Sequence, residues 1–258
     1  MITTNGLAMI DDLNISNGVV YAEYKGNQCK KVKFRVEKGN QQQTFALEGV
    51  NKIRAFPLCF GDGEYLFSVF ENIQDKSYKV ILSKRCQVKL KDYNSPYVRP
   101  NVFCDYNDRS DCMIKAKEIT KGYRTNIEKA TAINSWIKSN IKYDKAFYQE
   151  IKNGNYTWWI PNPDEVFKSK KSICWGIASL MAAMCRSVGI PTRICVGYKT
   201  DIYHAWNEIY TDEAGLVDGF ICNPGKWTRL DLSNMITSNS AGRSKININS
   251  NYKVDYLG

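Results

Sequence analysis

Residues 171–193, KSICWGIASLMAAMCRSVGIPTR, decide the fold of the second half of the chain. From Cys174 onward, apolar residues recur at helical spacing and form one stripe, which consists of Ile177, Leu180, Met181, Met184 and Val188. Gly189 is the residue type that usually follows a helix, and Pro191 prevents its continuation. The stretch therefore predicts a helix that ends near Gly189 and has Cys174 in its first turn.

The position of Cys174 favours a reactive thiol. In the first turn, unpaired backbone N–H groups and the positive end of the helix dipole favour an anion, and therefore a thiolate. We expect a partly exposed thiol there, although position alone leaves a structural role for Cys174 equally open. A structural role is favoured for the other cysteines, which are Cys29, Cys59, Cys86, Cys104, Cys112, Cys185, Cys195 and Cys222. Because the nine cysteines show no regular spacing and no CxxC pair, reduced thiols are predicted.

The composition predicts a folded chain with a sizeable core. Its 258 residues are 43% hydrophobic and 12% aromatic, which suits one large domain or two small ones. No stretch predicts a membrane span, and the N-terminus lacks the features of a secretion signal. The compartment stays open: the cell envelope or the exterior if an upstream leader has been removed, and the cytoplasm otherwise.

The net charge of +10 suggests an acidic partner, either nucleic acid or an anionic polymer of the cell envelope. Lys and Arg are spread along the chain, however, as on a solvated strand face. No recognised nucleic-acid-binding motif accompanies them, so nucleic acid is not expected as a partner. Neither a metal nor a cofactor is predicted.

Short alternating runs between Gly18 and about Lys91 predict β-strands, and turn signals such as GDG at 61–63 separate them. Several short strands at this spacing indicate an antiparallel β-sandwich. The segment KDYNSPYVRPN, around Pro96 and Pro100, shifts in composition and predicts a linker. We therefore expect a β-sandwich accessory domain over residues 1–95 and a second domain over residues 96–258.

The second half changes to helical periodicity and then to strands. Thr125 and Glu128 form a capping box ahead of an apolar stripe, which predicts a helix. After Gly189, the runs TRICVGY, HAWNEIY, LVDGFI and WTRLDL predict a mainly antiparallel sheet, so the fold class is α+β. The polar segment SNSAGRSKININSNY receives no assignment.

Two further residues complete a possible catalytic set. His204, the only histidine, opens a strand-like run, and imidazole is well suited to accept a thiol proton and return it to a leaving group. A lone histidine is more often structural than catalytic. Asp231 lies in an otherwise apolar strand pattern, where a carboxylate needs a partner. The imidazole N–H of His204 would supply that partner and give the carboxylate the orienting role of a triad.

Three blocks of the sequence resemble those of the transglutaminase-like (transglutaminase core) superfamily of papain-like thiol enzymes, in the order Cys, His, Asp. They are SICWGIASLMAAMCRSVGIPTRICVGY, YHAWNEIY and WTRLDLS. The resemblance covers roughly Cys112 to Ser233. It implies that Cys174 is the nucleophile, His204 the general base and acid, and Asp231 the orienting carboxylate. It also implies a papain-like core of helices packed on an antiparallel sheet. The first half loosely resembles the small Ig-like sandwich that precedes such domains in bacterial envelope proteins.

Four tryptophans enter the predicted site. The segment YTWWIPNPDEVF resembles the stretch where the superfamily places a side chain beside the oxyanion, and Trp159 is the candidate donor, with Trp158 as the alternative. Paired tryptophans are more often core or cleft wall. Trp158, Trp175 and Trp206 are therefore expected to line the substrate cleft.

The chain departs from the family pattern at two places. Ser172 stands where the family usually has glycine two residues before the nucleophile. Leu232 and Ser233 follow Asp231 where the family usually has Pro-Thr or similar. Neither departure removes a reacting group.

The predicted function is thiol-dependent acyl transfer at an amide bond through a thioester on Cys174. Water as the acceptor gives a cysteine peptidase or amidase, and an amine gives a transglutaminase that cross-links proteins. The residues do not decide between them, but bacterial members of the superfamily are generally taken to be peptidases, which favours hydrolysis. The alternative from another class is a non-catalytic cell-surface binding module. The expected partner is a protein or peptide substrate, with an acidic envelope polymer as a second partner.

Overall fold

The computed structural model describes residues 1–156, 159–237 and 251–258. Its helices and antiparallel sheets confirm the predicted α+β class. The chain divides into two compact units, Met1–Val102 and Phe103–Gly258. We predicted a boundary after residue 95, and whether each part folds by itself stays a prediction. Within the described ranges, no helix is long and apolar enough to cross a membrane.

The first unit is a sandwich of two four-stranded antiparallel sheets, ordered β1-β2-β3-β6 and β5-β4-β7-β8. Phe34 and Phe56, one from each sheet, have ring centroids 4.4 Å apart, and Phe45 lies 5.2 Å from Phe56, which closes the predicted sandwich core. The strands are β1 (Ile2–Thr4), β2 (Ala8–Asp11), β3 (Val19–Tyr24), β4 (Val32–Lys38), β5 (Gln41–Ala46), β6 (Arg54–Pro57), β7 (Gly63–Gln74) and β8 (Ser77–Val88). Two short 3-10 helices, Ile15–Asn17 and Ser95–Tyr97, accompany them.

Two details of the first unit differ from the prediction. The run YKVILSK and the first three residues of CQVKLK form the single strand β8, because Arg85 between them continues the pairing with β7. The segment predicted as a linker is packed in part, since Pro96 and Tyr97 are buried. Gly18 has a φ of +84°, and a Cβ there would lie 2.4 Å from the backbone nitrogen of Pro96, so this contact requires glycine.

The second unit begins with helices and ends with a sheet. Its elements are α1 (Asp111–Ile119), α2 (Asn126–Asn140), β9 (Lys142–Tyr143), α3 (Lys145–Lys152), α4 (Pro163–Ser169), β10 (Lys171–Ser172), α5 (Cys174–Ser187), β11 (Thr192–Lys199), β12 (Ile202–Thr211), β13 (Gly215–Val217), β14 (Phe220–Cys222), β15 (Lys226–Leu230), α6 (Leu232–Thr237) and β16 (Tyr252–Leu257). The main sheet is antiparallel in the order β15-β12-β11-β16.

Helix α5 is the centre of this unit. It packs against α1, α4, β11 and β12, and it is buried along most of its length because small alanines alternate with the predicted apolar stripe. Gly189 has a φ of +87° just past the helix, as predicted for a glycine at this position. The sheet and helices therefore hold the first residue of α5, Cys174, in a fixed place.

Other elements refine the predicted pattern. The capping box of Thr125 and Glu128 is present at the start of α2. The run LVDGFI is a hairpin of β13 and β14, because Asp218 and Gly219 both have positive φ in the turn. The run WTRLDL is a strand only up to Leu230 and is followed by α6. Most of the polar segment 238–252 lies outside the described residues, but its end enters β16.

Candidate active site

Cys174 is the first residue of α5, with Ile173 as the N-cap. The two-residue strand β10 leads into the helix and pairs in parallel with β9, so the approach to Cys174 is fixed by backbone hydrogen bonds. Cys174 is 9% exposed, so it is more buried than the partly exposed thiol that we expected. The side chain at the helix start is therefore enclosed by its neighbours. The chain's nine cysteines, all in the described ranges, are thiols rather than disulfides.

His204 and Asp231 are joined by a hydrogen bond of 2.9 Å between Nε2 and Oδ2. Strands β12 and β15 pair so that Asn207 faces Leu230, which brings the next residue, Asp231, beside His204. We had predicted that Asp231 lies within a strand, and this was wrong. It follows β15 and precedes α6, where its Oδ1 accepts the backbone N–H of Asn234 at 3.3 Å. The carboxylate is thus fixed from two sides.

Several other groups also surround the Asp231 carboxylate, which is fully buried. Ser233 Oγ donates to Oδ1 at 3.0 Å, Tyr252 donates its hydroxyl to Oδ2 at 2.9 Å, and the Asn234 amide also donates to Oδ2. Lys199 Nζ lies 3.6 Å from Oδ2. Burial alone would raise the pKa of Asp231, but the hydrogen bond and charge of His204, with the charge of Lys199 and the Tyr252 hydrogen bond, lower it. The carboxylate is therefore ionised at neutral pH.

The pKa of His204 is raised to about 9. Burial is the largest influence and acts downward, but it is outweighed by the hydrogen bonds and charges of Asp231 and Cys174. His204 is consequently protonated at pH 7. The structure brings Cys174, His204 and Asp231 together, with the imidazole interacting with both of the other side chains.

Tyr143, which the sequence did not single out, also lies at Cys174. The pKa of Tyr143 is raised, first by burial and then by the charge of Cys174, while a hydrogen bond with the Cys174 backbone acts downward. Tyr143 reaches this position because β9 pairs with β10, with Tyr143 facing Ser172. No local pattern could have revealed it, since the pairing joins segments that are far apart in the sequence.

Trp159 and Trp175 lie beside the start of α5, with their rings perpendicular and 6.1 Å apart. A Cβ on Gly176 would lie 3.1 Å from Cη2 of Trp159. The six-membered ring of Trp159, and not its indole N–H, is therefore the part that approaches the helix. The Nε1 of Trp175 is buried and has no hydrogen-bond partner among the described residues. Trp158, expected in the cleft, lies outside the described residues.

Trp206 does not fit the predicted cleft wall. It is 1% exposed, its ring stacks beside His204 with centroids 6.3 Å apart, and it meets Tyr252 edge-on at 4.7 Å. A side chain enclosed in this way belongs to the core. Trp206 therefore supports the His204 ring and presents no surface to a substrate.

A metal ion needs several ligating side chains close together. No group of three or more His, Cys, Asp or Glu side chains among them could hold a metal ion.

The site brings a thiol, an imidazole and a carboxylate together, and the segment that holds them has a match among known families. Residues 115–232 match the Transglutaminase-like superfamily. The matched segment contains Cys174, His204 and Asp231, and it supports the resemblance that the three sequence blocks carry.

Two curated relatives and one solved structure illustrate the similarity. Human Kyphoscoliosis peptidase is 29% identical over 100 residues, which are 34% of this chain and 14% of that protein. The UPF0252 protein MJ1282 of Methanocaldococcus jannaschii is 30% identical over 122 residues, or 45% of this chain and 34% of that protein. The chain thus matches well under two thirds of either relative. Red sea bream transglutaminase is 12% identical, with a TM-score of 0.38, over 93% of this chain and 50% of that one.

Proposed function

We propose that the chain hydrolyses amide bonds in proteins or peptides by thiol-dependent acyl transfer. Cys174 is the nucleophile, His204 the general acid and base, and Asp231 the carboxylate that orients the imidazole. The observation that carries this proposal is the His204–Asp231 hydrogen bond of 2.9 Å, made by an imidazole that also interacts with Cys174. Those are the contacts that a nucleophile, a base and an orienting group require.

In the resting state of this proposal, His204 is an imidazolium beside the Cys174 side chain. Because the pKa of His204 is raised to about 9, the ring is charged at neutral pH, and a charged imidazole stabilises a neighbouring thiolate. The start of α5 adds the positive end of a helix dipole at the same sulfur. Both features favour Cys174 as the attacking group.

The first half-reaction forms a thioester. The Cys174 sulfur attacks the amide carbonyl carbon, a C–S bond forms, and negative charge develops on the carbonyl oxygen. His204 then gives its proton to the departing nitrogen as the C–N bond breaks. The product amine leaves, and the neutral imidazole stays hydrogen-bonded to Asp231.

The second half-reaction releases the acid. The neutral His204 takes a proton from water, and the resulting hydroxide attacks the thioester carbonyl. The C–S bond breaks and restores the Cys174 thiolate beside the charged imidazole. Ser233, Asn234 and Asp231 keep the imidazole in the same orientation through both steps, since their hydrogen bonds do not involve the reacting atoms.

The oxyanion is stabilised by Tyr143 in this proposal. Its hydroxyl lies at the backbone of Cys174 and close to the thiol, which is where the carbonyl oxygen develops its charge. Trp159 was our first candidate, but its six-membered ring faces the helix, which supports a role in the cleft wall. The indole N–H of Trp175, which has no partner among the described residues, is suited to donate a hydrogen bond to a substrate carbonyl.

Hydrolysis is favoured over transamidation by the relative named Kyphoscoliosis peptidase, which shares 29% identity over 100 residues. The test is turnover of a fluorogenic peptide library, with and without a large excess of a primary amine. We expect released amine from the wild-type protein and none from Cys174→Ala. The accumulation of amine-linked product in place of free acid would establish a transglutaminase instead. Turnover by a folded Cys174→Ala protein would overturn the proposal.

Cys185→Ala is the matched control for this test. Cys185 lies on the same helix and is fully buried, so its truncation costs stability, about 1 kcal/mol, without touching the reacting atoms. We expect wild-type turnover from Cys185→Ala. Loss of turnover in both variants would point to a general requirement for the packing of α5 and would contradict a special role for Cys174.

A further inference from the structure

The Asp231 carboxylate has more partners than an orienting role requires. Beside His204, it receives the hydroxyl of Tyr252 at 2.9 Å and the ammonium of Lys199 at 3.6 Å, both on Oδ2. The Lys199 side chain is 14% exposed and the Asp231 side chain is fully buried, so this ion pair is shielded from solvent. Two positive groups, the ammonium and the imidazolium, thus compete for one buried carboxylate oxygen.

Strand pairing brings these two partners to the site. Lys199 is the last residue of β11 and Tyr252 the first of β16, and the two face each other in the sheet. The backbone N–H of Thr200 donates to the carbonyl of Asn251 at 2.7 Å, which ties the strand ends together. Arg229 holds the Tyr252 ring from the other side, with its Cζ 3.9 Å from the ring centroid. The pair is therefore a rigid feature of the sheet.

We propose that Lys199 and Tyr252 are positioning residues of this site, and that the Lys199 cation limits how strongly Asp231 stabilises protonated His204. This inference rests on the proposed function only for its consequence in turnover. A second cation at the carboxylate offsets part of its negative charge, so the attraction between Asp231 and the imidazolium is weaker. His204 then remains acidic enough to give its proton to a departing amine.

The charged and titratable groups around His204 come from every element that surrounds it. Burial, the largest influence on Lys199, lowers its pKa and Arg229 acts in the same direction, while the charge and hydrogen bond of Asp231 raise it. The set comprises Cys174 of α5, Asp231 before α6, Lys199 of β11, Tyr252 of β16, Arg229 of β15 and Tyr143 of β9. Apart from the imidazolium itself, Lys199 is the cation of this set that contacts Asp231.

The test is an NMR titration of the imidazole in the untagged chain of 258 residues, where His204 is the only histidine. We expect Lys199→Met to move the titration midpoint upward by roughly half a pH unit. Lys199→Arg should keep the wild-type midpoint, because it keeps the charge. Lys253→Met is the matched control, since it removes an exposed cation from the neighbouring strand. If Lys199→Met does not fold, Lys199→Gln replaces it.

A second variant tests the hydroxyl. Tyr252→Phe leaves Asp231 with one donor fewer, so the carboxylate holds the imidazolium more strongly, and we expect a smaller upward shift of the midpoint together with a lower kcat on amides. An unchanged midpoint in folded Lys199→Met overturns the role of Lys199. A wild-type midpoint and kcat in Tyr252→Phe overturns that of Tyr252. The titration needs no substrate, so it stays decisive even if no peptide is cleaved and the proposed function fails.

Discussion

At the scale of single residues, the interaction between His204 and Asp231 carries most of the proposed chemistry. Asp231→Asn keeps a side chain of the same size, and its amide can still touch the imidazole, but it favours the wrong tautomer and cannot stabilise the charged ring. We expect kcat to fall about 10²- to 10⁴-fold with little change in KM. Steady-state kinetics on a cleaved peptide measures this, and a decrease below about tenfold would contradict the orienting role.

The raised pKa of His204 makes stability depend on pH in a definite direction. The folded value of about 9 lies above the ordinary value of 6.5, so the folded state holds this proton more tightly. The stabilisation is fully present below pH 6.5 and is lost as the pH rises through about 9.

His204→Asn isolates this contribution from the other groups that titrate in the same range. We expect the difference in free energy of unfolding between wild type and His204→Asn to shrink between pH 6.5 and 9.5, as measured by urea denaturation. A difference that stays constant or grows would show that His204 is not held as a cation in the folded protein.

Tyr143 and Trp159 are two candidates for the oxyanion donor, and removal of the donor group separates them. Tyr143→Phe deletes one hydroxyl and should lower kcat by about 10²-fold, because a single oxyanion donor is worth that much. Trp159→Phe deletes the indole N–H and should leave kcat within a few-fold of the wild-type value. Its main effect should be on KM. The reverse ranking in kinetics on one peptide would assign the donor to Trp159.

At the scale of elements, the junction of β10 and α5 shows how the departure at Ser172 is accommodated. A Cβ on Gly176 would lie 2.0 Å from Ser172 Oγ and 2.9 Å from Ser172 Cβ. Rotation of the serine cannot relieve both contacts. Gly176 is therefore the residue that allows a side chain two positions before the nucleophile.

This coupling predicts a non-additive pair of substitutions. Gly176→Ala alone should destabilise the protein by roughly 1–3 kcal/mol through overpacking. Ser172→Gly removes both clashing atoms, so Gly176→Ala in that background should cost far less. A double-mutant cycle on free energies of unfolding measures the coupling, and simple additivity would show that the two residues do not constrain each other.

The elements also show why part of the site could be predicted and part could not. Cys174 was placed correctly because helix signals are local: the apolar stripe, Gly189 and Pro191 all lie within a few turns. Tyr143 and Tyr252 were missed because they reach the site through pairing of β9 with β10 and of β11 with β16, between distant segments. Asp231 was placed in a strand because the apolar and polar residues of WTRLDL alternate up to its end. That pattern gives no sign of the helix that follows.

Burial was the other quantity that the sequence could not supply. Alternation along HAWNEIY predicts which side chains share a face of β12, but not what covers that face. Trp206 was therefore expected in the cleft, whereas Tyr252 and His204 enclose it. The thiol of Cys174 is more buried than expected for the same reason, since its cover comes from outside its own helix.

At the scale of the whole molecule, the chain divides into a β-sandwich unit and a second unit that contains the match to the Transglutaminase-like superfamily. The predicted residues Cys174, His204 and Asp231 all lie in the second unit, and no strand of the first unit enters the described sheet that carries His204. The proposed chemistry thus belongs to residues 103–258. The acidic polymer that the net charge of the chain suggested as a partner stays a prediction.

The central claim is that an acyl group is transferred to Cys174, and mass spectrometry of the trapped intermediate tests it most directly. An activated peptide ester is mixed with the protein, the reaction is stopped in acid, and the peptides of all nine cysteines are mapped. We expect an acyl adduct on Cys174 in the wild type, the same adduct in Cys185→Ala, and none on any cysteine in Cys174→Ala. An adduct spread over exposed cysteines such as Cys29, or an unmodified Cys174 in a protein that turns over substrate, would contradict it.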